Sequence, residues 1–332
     1  MHGGAAFLGA GHLGSYHGEA NAANGVITVS INYRLGPMGY FAHPALTAEG
    51  GPTGDFAMMD AVAALEWIQE NIASFGGDPD NVTIAGQSAG GVMVINLLSI
   101  PSAEGLFDKA IVQSGAFVSP GRELAAAEQL GVEGMATLDV PADATADMLR
   151  SVSAQSLTYN PALRRGISGT IDGRFNTVSP RAAMDAGREA DVPVLVGSNM
   201  GEGGFSRATQ LAAETGDEGA PAFLYHFRYM PEFREAAWGN GPIHSAELMY
   251  TFDSLETSSW GAGRTTAEDE AYADIVNSCW TSFMHMNPSS TTITCNNGFE
   301  WPAYTPESGA VAVFDEEITV GDASTIPDGP QS

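Results

Sequence analysis

A serine stands between two glycines where a short apolar run changes into a helical one. Residues 81–91 read Asn-Val-Thr-Ile-Ala-Gly-Gln-Ser-Ala-Gly-Gly, and an apolar run continues through Val92–Leu98. On so tight a strand-to-helix turn the serine Oγ is lifted clear of the sheet, and glycine at the flanking positions leaves room for the backbone. Gly86-Gln87-Ser88-Ala89-Gly90 therefore predicts a nucleophile elbow, with Ser88 as the nucleophile of an acyl transfer.

The elbow motif alone is a weak signal, because its spacing arises easily by chance in a chain with 40 glycines among 332 residues. The preceding segment strengthens it. Asp55–Phe75 carries apolar residues at helical spacing and stops at Gly76-Gly77, where a helix commonly ends. Helix, loop, strand, elbow and helix thus follow one another, as this kind of turn requires.

A serine nucleophile needs a base to take its proton and an acid to orient that base, on loops at the carboxyl ends of strands. Glu202 follows the apolar run Val192–Val196, which raises it above other acidic residues, whose default role is on a solvated surface. His244 is the predicted base. His226 lies in a predicted strand, His2 belongs to another motif, and four histidines fit surface or loop positions: His12, His17, His43 and His285.

The first residues place small side chains in succession: Met1-His2-Gly3-Gly4-Ala5-Ala6-Phe7-Leu8-Gly9. Such a loop lets backbone N–H groups turn toward a ligand. Gly3 and Gly4, together with the N–H of Ala89, are therefore predicted to form an oxyanion hole. A plain glycine-rich loop is the alternative explanation of the same residues.

Strands and helices alternate along the chain. Apolar runs rich in β-branched residues predict strands at Gly25–Asn32, Val82–Ala85, Ala110–Gln113, Val192–Val196 and Ala222–Tyr229. Helices are predicted at Ala125–Gln129, at Ala142–Gln155 and around Glu268–His285, before a tail rich in Gly, Pro and Thr. We expect an α/β fold with a mostly parallel central sheet and helices on both faces. One domain should span residues 1–332, with a helical insertion around residues 120–165.

The chain is strongly acidic, with 40 acidic residues against 13 basic ones and a formal net charge of −27. This field opposes binding to nucleic acid or anionic lipid. It suits a saline habitat, and a codon bias that favours Arg over Lys is the alternative. No stretch approaches the ~20 apolar residues of a membrane span, and Met1–Gly4 lack the features of a signal peptide.

The two cysteines, Cys279 and Cys295, lie close enough in sequence to pair. A disulfide in an exported protein and two free thiols in a cytosolic one both fit this spacing, which matches no zinc motif. The compartment therefore stays open.

Several ordered motifs together resemble the type-B carboxylesterases, the α/β-hydrolase family that includes bacterial para-nitrobenzyl esterases and the cholinesterases. The matching segments are His2–Gly4, Asn32–Phe41, Phe75–Gly91, Leu106–Gly115, Ile171–Gly173, Pro193–Gly203, His244–Leu248 and Trp301–Tyr304. The resemblance implies a Ser88–Glu202–His244 triad in that chain order. It also implies an α/β-hydrolase fold that uses neither cofactor nor metal.

The sequence departs from the family pattern in three places. A substantial stretch, including a sheet strand, normally precedes the His-Gly-Gly motif, so we expect that the chain is N-terminally truncated. Only 42 positions separate Glu202 from His244, which predicts a reduced helical cap. Gln87 stands where Glu is commoner, and Ala5-Ala6 replace the usual Gly and aromatic residue; these changes bear on substrate range.

The sequence thus predicts a serine carboxylesterase that hydrolyses small-molecule esters through an acyl-enzyme. A non-catalytic binding or adhesion-type protein on the same fold, or an inactive truncated esterase, is the alternative. The sequence leaves open the acyl and alcohol groups, the preference for esterase or lipase substrates, and the oligomeric state.

Overall fold

The protein is described here from a computed structural model, which covers residues 1–164, 169–216 and 219–329. Its strands are β1 Thr83–Gln87, β2 Lys109–Gln113, β3 Arg122–Glu123, β4 Thr170–Ile171, β5 Val194–Asn199, β6 Ala222–Phe227, β7 Thr292–Thr294, β8 Glu300–Pro302, β9 Ala310–Phe314 and β10 Ile318–Asp322. Its helices are α1 Glu19–Ala23, α2 Pro37–Tyr40, α3 Pro44–Thr47, α4 Phe56–Asn71, α5 Ala89–Leu97, α6 Leu124–Ala136, α7 Ala146–Ser151, α8 Ala154–Thr158, α9 Pro180–Met184, α10 Phe205–Gly216, α11 Glu232–Trp238, α12 Leu248–Thr251 and α13 Ala267–His285.

The central sheet has the strand order β1-β2-β5-β6-β9-β10. All neighbouring pairs run parallel except β9 and β10, which are antiparallel. Two small ladders lie apart from it: β3 pairs with β4, and β7 forms a hairpin with β8. A mostly parallel sheet confirms the predicted fold class.

Both faces of the sheet are covered, as its sequence predicts. Along β2, Ala110 and Val112 pack into a core that includes residues of α4, α5 and α10, whereas Ile111 packs into a second core with residues of α13. Every residue of β2, β5, β6 and β9 is buried. Strands buried on both faces need near-continuous apolar sequence, which is why these runs stand out from the sequence alone.

The strand predicted at Gly25–Asn32 does not form. No strand is assigned to this segment, and its residues 26–31 and the residues of β1 line one cavity of 460 Å³. Ile27 and Val29 remain 44% and 39% exposed. The composition is that of a strand, but a strand also needs a hydrogen-bonded neighbour, and the described residues supply none here.

The strands that follow α13, in the segment rich in Gly, Pro and Thr, were not predicted. This part of the chain holds the β7–β8 hairpin and contributes β9 and β10 to the central sheet. The run Ala310–Phe314 is apolar throughout and buried, so its signal was present but was hidden by the surrounding Gly, Pro and Thr.

A disulfide joins Cys279 on α13 to Cys295 just after β7, so the two cysteines are paired in the structure. The helices predicted near Ala125–Gln129 and Ala142–Gln155 occur as α6, α7 and α8. In the part of the chain that the structure describes, no helix is both long enough and apolar enough to cross a bilayer.

Candidate active site

Ser88 occupies the turn between β1 and α5 in a strained backbone conformation, with φ 56° and ψ −122°. The two flanking glycines make this turn possible. A Cβ on Gly86 would lie 2.2 Å from the carbonyl carbon of Gly90, and a Cβ on Gly90 would lie 2.2 Å from the Met1 carbonyl oxygen. The sequence therefore folds here into the predicted elbow, which presents the Ser88 hydroxyl above the sheet.

Glu202 and His244 meet beside the elbow. Glu202 follows β5, and the Nδ1–H of His244 donates to its Oε2. The Glu202 side chain is 13% exposed and the His244 side chain 47% exposed. The hydrogen bond to Glu202 raises the pKa of His244, burial opposes this rise, and the charges of Glu202 and Glu247 add to it. When Nδ1 carries the proton that it donates to Glu202, the lone pair of the neutral ring lies on Nε2, as a histidine base requires.

The Nε2 atom of His244 faces the side chain of Gln87 in this structure. The two nitrogens, Gln87 Nε2 and His244 Nε2, are 3.3 Å apart, which fits an amide N–H that donates to the imidazole lone pair. Within the described residues, the Ser88 hydroxyl makes no hydrogen bond to His244. Catalytic hydrogen bonds are commonly long in a free enzyme and tighten when substrate binds. In this structure the Nε2 atom of His244 is thus directed at the Gln87 amide and not at the Ser88 hydroxyl.

Two further groups orient Glu202, and sequence reasoning missed both. The Ser114 hydroxyl donates to Oε1, and the backbone N–H of Asn199 donates to the same oxygen at 2.9 Å. Ser114 directly follows β2, which lies between β1 and β5. Its position at the carboxyl end of a strand next to the elbow strand was the available signal.

The loop that carries the predicted oxyanion hole is held by two tyrosines. The Tyr33 hydroxyl donates to the His2 carbonyl at 2.6 Å, and the Gly3 N–H donates to the Tyr16 hydroxyl at 3.1 Å. Gly4 has φ +109°, and a Cβ there would lie 2.2 Å from the Leu8 carbonyl oxygen. The N–H of Gly3 thus already has an acceptor, and glycine is required at position 4.

Ala89 is the first residue of α5, directly after Ser88. The first N–H groups of a helix have no acceptor within it, and the helix dipole makes this end positive. A cavity of 260 Å³ lies at this point and is lined in part by Ala5, Ser88, Ala89, Phe117 and Gly203. An anion that forms on a ligand in this cavity can therefore meet a backbone donor beside the Ser88 hydroxyl.

The comparison with known proteins decides the family. The model of the carboxylesterase family matches residues 1–218 and 206–325. The chain belongs to the carboxylesterase family. It is a carboxylic ester hydrolase by this membership, and the para-nitrobenzyl esterase of Bacillus subtilis (strain 168) is 30% identical to it over 96% of this chain and 76% of that protein.

Other carboxylesterases match over different lengths. The fumonisin B1 esterase of Sphingopyxis macrogoltabida is 35% identical over 61% of this chain, and the matched region spans only 38% of that esterase. A solved structure of a thermophilic PNB esterase superposes with a TM-score of 0.83 at 28% identity, covering 98% of this chain and 77% of the other. These likenesses confirm both the α/β-hydrolase fold and the family that the sequence motifs indicated.

Proposed function

We propose that this carboxylesterase acts through a Ser88–His244–Glu202 triad and an acyl-enzyme. His244 Nε2 takes the proton of Ser88 as Oγ attacks the ester carbonyl. Glu202 accepts from Nδ1–H and stabilises the imidazolium that forms. The same imidazolium then protonates the leaving alcohol as the ester C–O bond breaks, which leaves the acyl group on Ser88.

Water hydrolyses the acyl-enzyme by the same path. His244 takes a proton from the water as its oxygen attacks the acyl carbonyl, and returns that proton to Ser88 Oγ when the acid leaves. In both steps a negative charge develops on the carbonyl oxygen. We assign its stabilisation to the N–H groups of Gly4 and Ala89, with Gly3 as a third donor when its hydrogen bond to Tyr16 opens.

One observation carries the proposal: the His244–Glu202 hydrogen bond lies beside a serine on a strained elbow. Chance surface contacts seldom combine a largely buried acid, a partly exposed histidine and a serine at a positive φ. The cavity next to Ser88 is lined largely by small residues and measures 260 Å³. We therefore assign it to the acyl group of a small ester, in line with small-molecule substrates.

The test compares Ser88→Ala with its parent in the hydrolysis of p-nitrophenyl butyrate. Loss of a triad member lowers the rate by several powers of ten, while alanine fits the elbow. Ser99→Ala is the matched control, because Ser99 lies just past the other end of α5 and its Oγ donates to the Asn96 carbonyl. We expect full activity from the control. A parent that folds but hydrolyses no ester would instead favour the binding-protein or inactive alternatives.

A further inference from the structure

Arg207 lies on α10 and lines the cavity next to Ser88. Among the described residues that line this cavity, it is the only one with a charged side chain. Many of its neighbours in the wall are small or apolar, such as Ala5, Val92 and Gly203. A guanidinium covered by an apolar acyl chain would lose solvation without gaining a partner, so its place in this wall calls for a reason.

Gly204 makes room for the guanidinium of Arg207. A Cβ on Gly204 would lie 2.8 Å from Nη2 and 3.4 Å from Nε of Arg207. Gly204 also lines the cavity and has φ +101°, which glycine adopts without strain. The Arg207 side chain therefore folds back over the start of α10, beside the cavity, and a larger residue at position 204 would displace it.

Asp328 is an acidic residue close enough for its charge to interact with Arg207, but its hydrogen bonds go elsewhere. Its Oδ1 accepts from the Ser206 N–H at 2.6 Å, and its carbonyl oxygen accepts from the Gly204 N–H at 3.2 Å. The hydrogen bond from Ser206 lowers the pKa of Asp328, burial opposes this, and the charge of Arg207 adds to it. Arg207 itself forms no ion pair with the described residues. Toward those residues, its donors are unused.

Ser198 brings a second unused donor to the same cavity. It belongs to β5, lines the cavity and is 3% exposed, yet its hydroxyl has no hydrogen-bond partner among the described residues. Buried hydroxyl groups are normally hydrogen-bonded. An acyl chain with an anionic end would supply an acceptor for both donors, whereas an apolar chain would supply none.

We propose that this cavity takes an acyl group that ends in a carboxylate, bound by Arg207 and Ser198, so that half-esters of small dicarboxylic acids are preferred substrates. The inference rests on the proposed function, because the cavity is an acyl site only if Ser88 carries the acyl group. A guanidinium presents two parallel N–H donors to a carboxylate. It also offsets locally the net charge of −27, whose field repels an anionic substrate. Hydrolysis breaks only the ester C–O bond and releases the alcohol and the dicarboxylate.

The test measures a selectivity ratio, which is kcat/KM for a half-ester divided by kcat/KM for its uncharged isostere. The half-esters are monoethyl succinate, glutarate and adipate, and each isostere carries an isopropyl group in place of the carboxylate. Base uptake at constant pH and fixed ionic strength follows both reactions. In the parent, the ratio should exceed one for at least one half-ester.

Three variants should change this ratio. Arg207→Met should lower it at least tenfold, because the methionine side chain is similar in length but has neither the charge nor the donors. Arg207→Lys keeps the charge but loses the paired donors, so its ratio should lie between those of the parent and Arg207→Met. Ser198→Ala should lower the ratio about threefold, and an unchanged ratio would overturn the role of Ser198.

Arg150→Met is the matched control. It changes the net charge by the same amount, but Arg150 is exposed on α7, pairs with Glu49 and does not line the cavity. Its ratio should equal that of the parent. The inference is overturned if Arg207→Met stays within twofold of the parent, if Arg150→Met lowers the ratio equally, or if the parent hydrolyses the isosteres but no half-ester.

These failures are distinct from a failure of the proposed function. A parent that hydrolyses the isosteres, and loses this activity in Ser88→Ala, keeps the proposed triad even if the half-esters are rejected. A folded parent that hydrolyses neither kind of ester refutes the proposed function and the inference together.

Discussion

Ser114→Ala should weaken catalysis through Glu202, the acid of the proposed triad, without changing the proposed nucleophile or base. The Ser114 hydroxyl donates to Glu202 Oε1, and Glu202 then presents Oε2 to His244. Alanine removes the donor and changes little else, because serine and alanine at position 114 must both adopt the same positive φ of 48°. The expected effect is a rotation of the carboxylate and a less well oriented imidazole.

The size of the effect follows from the bonds that remain. A hydrogen bond to a charged group contributes about 1.5–3 kcal/mol. Glu202 keeps the Asn199 N–H and the His244 Nδ1–H, and its 13% exposure admits some water to the vacated oxygen. The loss of transition-state stabilisation should thus lie near the lower end of this range, at about 1.5–2 kcal/mol, which corresponds to a fall of about 10- to 30-fold in kcat/KM.

The assay is kcat/KM for p-nitrophenyl butyrate at the pH optimum of the parent. Ser278→Ala is the matched control, because Ser278 is a buried serine on α13 whose Oγ donates to the Ile275 carbonyl at 2.6 Å. It should lower the melting temperature and leave kcat/KM unchanged. The reasoning is refuted if Ser114→Ala stays within twofold of the parent, or if the control loses activity equally.

Three further predictions concern stability. Burial raises the pKa of Asp55 to about 8, so the folded state keeps a proton that the unfolded chain releases. The free energy of unfolding should therefore fall as pH rises from about 4 to 8. In urea unfolding, Asp55→Asn should be more stable than the parent at about pH 9 but not at about pH 4. An equal gain at both would contradict this. Replacing Cys279 and Cys295 by alanine opens a 16-residue loop and should cost about 3 kcal/mol, seen as a lower melting temperature with activity retained at 25 °C; an unchanged melting temperature would show that the bond contributes nothing. With a net charge of −27, the melting temperature should rise from dilute to about 1 M NaCl, and a flat curve would favour codon bias over adaptation to salt.

The sequence could predict four strands of the central sheet, β1, β2, β5 and β6, and the elbow, because their signals are local. A short apolar run before Gly86 and an apolar helix after Gly90 suffice to place Ser88, and the strand before Glu202 places the acid. His244 was the weakest of these predictions, since it rested on the exclusion of other histidines. The structure brings it to Glu202 across 42 positions of sequence.

The supporting contacts could not be predicted, because each joins residues far apart in the chain. Ser114 and Glu202 are separated by 88 positions, and Gln87 and His244 by 157. No pattern of spacing encodes such a pair until the order of the strands is known. The segment Gly25–Asn32 shows the converse: strand-like composition does not form a strand where no neighbour pairs with it.

The central claim is that Ser88 carries the acyl group during turnover. The most direct measurement is peptide mass spectrometry after the protein is mixed with a slowly deacylating p-nitrophenyl ester and quenched in acid, which preserves the acyl-enzyme. We predict one acyl mass on the peptide that contains Ser88, and none in Ser88→Ala, whose hydrolysis should be abolished. An acyl group on another residue, or hydrolysis by Ser88→Ala within a few-fold of its parent, would contradict the account.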